Sequence, residues 1–152
     1  MSELITTALV DLDLDAAATT KDAAITHLVG LAVGSGRVTD ADVLLADVRA
    51  REEVMPTGIE GGIGIPHARS KAVLRPTVAF ARSSAGIDFG AADGPARLVF
   101  LIAAPDDGAG DHLKVLAALA RRLVHASFRD ALLTAPDADA VVDLFVREVE
   151  SS

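Results

Sequence analysis

The chain has 152 residues, 51% hydrophobic but only 3% aromatic, with no Trp or Tyr and a net charge of −8. One core built from Ala, Val, Leu and Ile follows, and aromatic stacking on single-stranded nucleic acid is disfavoured, as is contact with phosphate backbones or anionic lipid. There is no cysteine, hence no disulfide, thiolate nucleophile or Cys-based zinc site, and no apolar run nears the about 20 residues of a membrane helix.

The N-terminus, Met1 to Ile5, lacks the basic and apolar regions of a signal peptide, so a cytoplasmic location is expected. Leu9-Val10-Asp11-Leu12-Asp13-Leu14 alternates apolar and acidic residues and predicts a half-exposed strand. Thr19 to Asp22 gives a helix start, with Ala24, Ile25, Leu28, Leu31 and Ala32 at helical spacing and Gly34 and Gly36 at the end. Thr39 to Asp42 opens a second helix through Val43, Leu44 and Val48 toward Glu53. The breaker-rich stretch Met55 to Gly62 leads into Ile63-Gly64-Ile65-Pro66, and Pro66 predicts that His67 sits where regular pairing stops.

Thr77 to Arg82 reads as a strand with Val78 and Phe80 on one face, and Ile87-Asp88-Phe89 as a short strand before the turn Ala92-Asp93-Gly94-Pro95. Leu98 to Ala104 is a continuous apolar run, the mark of a central strand covered on both faces. After a loop from Pro105 to Gly110, Leu113, Leu116, Ala117, Ala120, Leu123 and Val124 form a helical stripe. Two further helices are predicted near Phe128 to Leu133 and Asp139 to Glu148. Strands alternating with helices predict an α/β fold, a sheet flanked by helices, in one compact domain over residues 1–152.

Four histidines are candidates for chemistry: His27, His67, His112 and His125. His27 and His125 fall inside predicted helices without companion motifs and read as structural or surface residues. His67 follows Gly58, Gly61, Gly62 and Gly64, which let backbone approach a ligand, and Pro66, which stiffens the chain before it. The spacing alone fits an anion site and simple turns equally well. His112 opens a helix, where the dipole favours a neutral ring and a bound anion, although Asp111 or Gly110 capping an exposed turn gives the same pattern. Arg51 offers a planar donor fork for phosphate oxygens, or an ordinary pair with a nearby glutamate. The nucleotide P-loop, G-x-G-x-x-G, H-E-x-x-H and G-x-S-x-G patterns are all absent.

The run Arg51-Glu52 through Thr57-Gly58 to Gly64-Ile65-Pro66-His67-Ala68-Arg69 resembles the active-site signature of the fructose/mannitol-type enzyme IIA family of the sugar phosphotransferase system. Asp111-His112-Leu113-Lys114 through Leu123 is similar to that family's H-L-K helix, and Phe89 to Pro95 with the following strand resembles its fructose branch. The resemblance covers nearly the whole chain. One departure is Gly64 in place of the usual alanine, which is expected to loosen the strand; Ala68 and Arg69 are in keeping with the fructose branch.

The resemblance implies a mixed sheet with helices on its faces and a phosphoryl carrier without metal or cofactor. His67 would accept a phosphoryl group through Nε2 from the phosphocarrier protein HPr and pass it to a cysteine of a IIB domain for sugar uptake. Arg51 and His112 would lie beside it, with Thr57, Gly62 and Gly64 as phosphoryl-binding support. Since the chain has no cysteine, the acceptor must be another domain, in trans or on a longer chain. Two rivals remain: a nitrogen-type regulatory enzyme IIA acting by protein binding, and a metal-dependent hydrolase using His67, His112 and Asp106 or Asp111.

Overall fold

The computed structural model describes residues 4–106 and 111–150, apart from the side chains of Asp111 and His112. Its strands are β1 (Val10–Asp11), β2 (Gly58–Ile59), β3 (Ile63–Gly64), β4 (His67–Ser70), β5 (Thr77–Ile87) and β6 (Ala96–Pro105). The helices are α1 (Lys21–Gly34), α2 (Ala41–Val54), α3 (Asp111–Leu123), α4 (Ala126–Thr134) and α5 (Ala138–Phe145), which continues as a π-helical turn over Val146–Glu150.

The sheet runs β1-β5-β6-β3-β2, with β4 also on β6. It is mixed: β5 and β6 are antiparallel, β1 is parallel to β5, and β3 and β4 are parallel to β6. The apolar run in β6 is buried without interruption from Leu98 to Ala104, as expected of a central strand. Burial in β5 is also continuous from Thr77 to Ala81, so the face opposite Val78 and Phe80 is covered too. Phe80 and Phe100 meet across the two strands with ring centroids 4.8 Å apart. Around them, α1 and α2 pack on each other and reach β5 and β4, while α3 and α4 pack against β6.

Several boundaries differ from the sequence reading. Residues 9–14 pair only at Val10–Asp11, because 3₁₀ turns at Thr7–Leu9 and Leu14–Ala16 consume the flanking residues. The two helix starts each fall one residue later than expected. Thr20 Oγ1 accepts the Ala23 N–H at 3.2 Å, and Asp40 Oδ1 accepts the N–H groups of Asp42 and Val43 at 3.1 and 3.3 Å. β5 runs on to Ile87 through an irregularity after Arg82, so Ile87-Asp88-Phe89 is a strand end and not a separate strand. Asp15 fixes that irregularity: its carboxylate accepts the Ser83 hydroxyl and the Ser84 and Ala85 N–H groups, the latter two at 2.9 and 3.0 Å.

Pairing does not stop at His67; β4 begins there. β3 and β4 form one edge in unchanged register along β6, with Ile63 opposite Leu98 and His67 opposite Ile102. Pro66 lacks an N–H, yet its carbonyl still accepts the Ile102 N–H at 3.1 Å. The proline removes one donor and leaves the ladder standing.

Candidate active site

His67 is half-buried at the first position of β4, and the alternation of that strand sends His67 and Arg69 to one side while Ala68 and Ser70 are buried on the other. The ring is fixed by one hydrogen bond: Nδ1 lies 2.8 Å from the carbonyl oxygen of Ile65. A carbonyl can only accept, so Nδ1 carries the proton and the neutral ring keeps its lone pair on Nε2.

The ring opens on a cleft of about 540 Å³ whose wall also includes Arg51 and Arg69. Asp47 and Arg51 come from one face of α2, one turn apart, and Asp106 follows the end of β6. Leu113 and Leu116 of α3 close the far side. Arg51 Nη1 donates to the Met55 carbonyl at 3.3 Å, and among the described residues no carboxylate pairs with it or with Arg69. The His67 imidazole therefore shares a cleft with two guanidinium groups that no carboxylate pairs among the described residues, an arrangement suited to a nucleophile that takes up a phosphoryl group.

Arg51 and His67, expected together, share this cleft. His112 falls in the first turn of α3, beside Leu113; its side chain lies outside the described residues, as does that of Asp111. Thr57, Gly62 and Gly64 are not among the residues that line the cleft. The Thr57 hydroxyl is directed at Glu52 Oε1, 2.7 Å away. Gly62 adopts φ +77 at the turn before β3, and its carbonyl accepts the N–H groups of Arg97 and Leu98 at 2.8 and 3.0 Å. Gly64 packs under Phe89, whose ring would lie 2.7 Å from an added Cβ. The glycine therefore admits a fully buried ring rather than loosening the strand.

His27 Nε2 lies 2.6 Å from Asp11 Oδ2, tying α1 to β1, and His125 stands at the N-cap of α4 without a capping bond. The described residues contain no cluster of three His, Cys, Asp or Glu side chains placed to hold a metal ion. Arg69 and Asp47 were missed in the sequence. Arg69 carried a signal, since a residue two places along a strand from His67 shares its side; Asp47 carried only its helical spacing from Arg51.

Residues 3–148 match the family described as phosphoenolpyruvate-dependent sugar phosphotransferase system, EIIA 2. A fructose-specific EIIA component of Haloferax volcanii is 49% identical over 132 residues, covering 86% of each chain. A fructose-specific EIIABC component of Bacillus subtilis is 34% identical over 145 residues, which are 95% of this chain but 22% of that longer protein. Among solved structures, nitrogen regulatory protein IIA-Ntr of Neisseria meningitidis superposes with a TM-score of 0.84 at 29% identity, covering 93% of this chain and 96% of that one. The mannitol IIA of Escherichia coli, solved in complex with phosphorylated mannitol IIB, superposes with a TM-score of 0.79 at 26% identity, covering 94% and 97%. The chain belongs to the EIIA 2 family of the phosphoenolpyruvate-dependent sugar phosphotransferase system, as a phosphoryl-carrying EIIA component.

Proposed function

We propose that the chain works as one cytoplasmic EIIA unit, taking a phosphoryl group from phospho-HPr onto Nε2 of His67 and delivering it to a IIB cysteine during fructose uptake. The carrying observation is the bond from His67 Nδ1 to the Ile65 carbonyl, which leaves Nε2 as the nucleophilic nitrogen on the cleft. In the first step the N–P bond of the donor breaks as the Nε2–P bond forms, and the donor imidazole keeps the bonding electron pair. Because Nδ1 retains its proton, the phosphorylated ring carries positive charge, which the Ile65 carbonyl stabilises. In the second step a IIB thiolate forms the S–P bond and His67 departs as a neutral imidazole. No proton needs to move in either transfer.

Transfer of this kind depends mainly on alignment and charge stabilisation. Arg51 neutralises the phosphoryl oxygens from α2, with Arg69 on the same side of β4 as His67. His112 donates a hydrogen bond to those oxygens; its place in the first turn of α3, next to the cleft-lining Leu113, supports that role. Thr57, Gly62 and Gly64 support the site indirectly, by shaping the hairpin before His67.

The fructose assignment rests on the names of the Haloferax volcanii and Bacillus subtilis relatives. The IIB acceptor is supported by the mannitol IIA–IIB complex and by the absence of cysteine here. The likeness to the nitrogen regulatory protein supports a second reading, regulation by protein binding. Measuring IIB phosphorylation and fructose uptake in cells lacking the chain separates the two: loss of both supports transport, and intact uptake supports regulation.

A further inference from the structure

We infer that Glu52 is a positioning residue that holds His67 in its reactive tautomer through a chain of hydrogen bonds; this deepens the phosphoryl-carrier reading and rests on it. Glu52 follows Arg51 in the last turn of α2, and its side chain is only 5% exposed. A buried carboxylate is costly unless its lone pairs are filled. Here Thr57 supplies two donors: Oε2 accepts the Thr57 N–H and Oε1 the Thr57 hydroxyl, both at 2.7 Å. Lys21 Nζ approaches Oε2 at 3.4 Å from α1.

Thr57 is thereby pinned to the helix that carries Arg51. Its carbonyl accepts the Ile65 N–H at 3.3 Å, across the β2–β3 hairpin. The Ile65 carbonyl in turn accepts His67 Nδ1–H at 2.8 Å. The path Glu52–Thr57–Ile65–His67 thus sets two quantities together. It fixes the carbonyl that selects the Nδ1–H tautomer, and it ties the strand edge bearing His67 to the helix end bearing Arg51. Glu52 touches neither the cleft nor the phosphoryl group, so its effect is carried by the tautomer and by alignment, where a small displacement slows transfer steeply.

The test uses the full chain with three substitutions, Glu52→Met, Glu52→Gln and Thr57→Val. Two readouts apply: the nitrogen-15 spectrum of the His67 ring at about pH 8, where a neutral imidazole reports its tautomer, and the steady-state rate of transfer from phospho-HPr. Glu52→Met removes both acceptors. It is expected to mix the Nε2–H tautomer into the spectrum and to lower kcat by roughly tenfold to a hundredfold with KM for HPr unchanged. Glu52→Gln keeps an acceptor for the Thr57 N–H while the hydroxyl turns to accept from the amide, and it should stay near wild type. Thr57→Val, which removes the hydroxyl alone, should fall between them. If Glu52→Met does not fold, Thr57→Val decides. A folded Glu52→Met or Thr57→Val protein with wild-type tautomer and wild-type kcat overturns the inference. The spectrum needs no phosphoryl donor, so a failed carrier reading, in which wild type takes no phosphoryl group, is distinguishable from a failed positioning role.

Discussion

The imidazole of His67 is held by the backbone of Ile65, two residues earlier on the same sheet edge, through a 2.8 Å bond from Nδ1 to the carbonyl oxygen. A backbone acceptor cannot change its protonation state, and this one sits in an edge whose register along β6 is the same on both sides of Pro66. The group that defines the reactive nitrogen is therefore a backbone acceptor, and no titrating side chain contacts Nδ1 among the described residues.

Arg51 and His67 share the cleft with no carboxylate on Arg51 among the described residues, so Arg51→Ala should remove charge stabilisation without freeing a buried acid. The expected loss is roughly a hundredfold to a thousandfold in transfer rate, the usual cost of deleting a donor aimed at developing charge. Arg51→Lys keeps the charge but not the fork and should recover part of it. Rapid-quench kinetics from phospho-HPr measure both.

Gly64→Ala places a Cβ 2.7 Å from the Phe89 ring, which is fully buried. The ring or the strand must shift, and overpacking of this kind costs about 1–3 kcal/mol. Denaturant unfolding should show that loss. Gly64→Ala combined with Phe89→Leu should be less destabilised than the two single changes added, because the smaller side chain gives the Cβ room.

Asp15 accepts the Ser83 hydroxyl and the Ala85 and Ser84 N–H groups, which hold its carboxyl below its ordinary value of 3.8. A depressed folded-state pKa contributes stability that is fully present above the ordinary value and lost as pH falls through the folded one. Wild type should therefore melt above Asp15→Asn at neutral pH, and the gap should close below about pH 4. Thermal melts across that range check the sign.

The net charge of −8 should steer a basic donor surface toward the chain. The second-order rate of transfer from phospho-HPr should then fall as salt rises from low to moderate ionic strength. A rate that does not change with salt removes electrostatic steering from the account.

What could be read from the sequence followed how local each signal was. β6 was legible because a strand buried on both faces needs an unbroken apolar run, and Leu98 to Ala104 supplies one. The starts of α1 and α2 were displaced by one residue because each offers two adjacent capping candidates. At α2 Asp40 takes the cap, while Thr39 Oγ1 donates to the Ala72 carbonyl at 3.2 Å. β4 was hidden by Pro66, since a proline that keeps its carbonyl in the ladder looks the same in sequence as one that ends it. His67 and Arg51 stood out by residue type and motif. The Glu52–Thr57 pair and the seat of Phe89 on Gly64 depend on how the hairpin folds back, and no periodicity announces them.

The most direct measurement is phosphorylation of the chain with phosphoenolpyruvate, enzyme I and HPr, followed by phosphorus-31 and nitrogen-15 spectroscopy of the modified ring. One phosphoryl group per chain is expected, bonded to Nε2 of His67, with no labelling of His67→Ala. Labelling at Nδ1, or stable labelling of His67→Ala, would contradict that assignment.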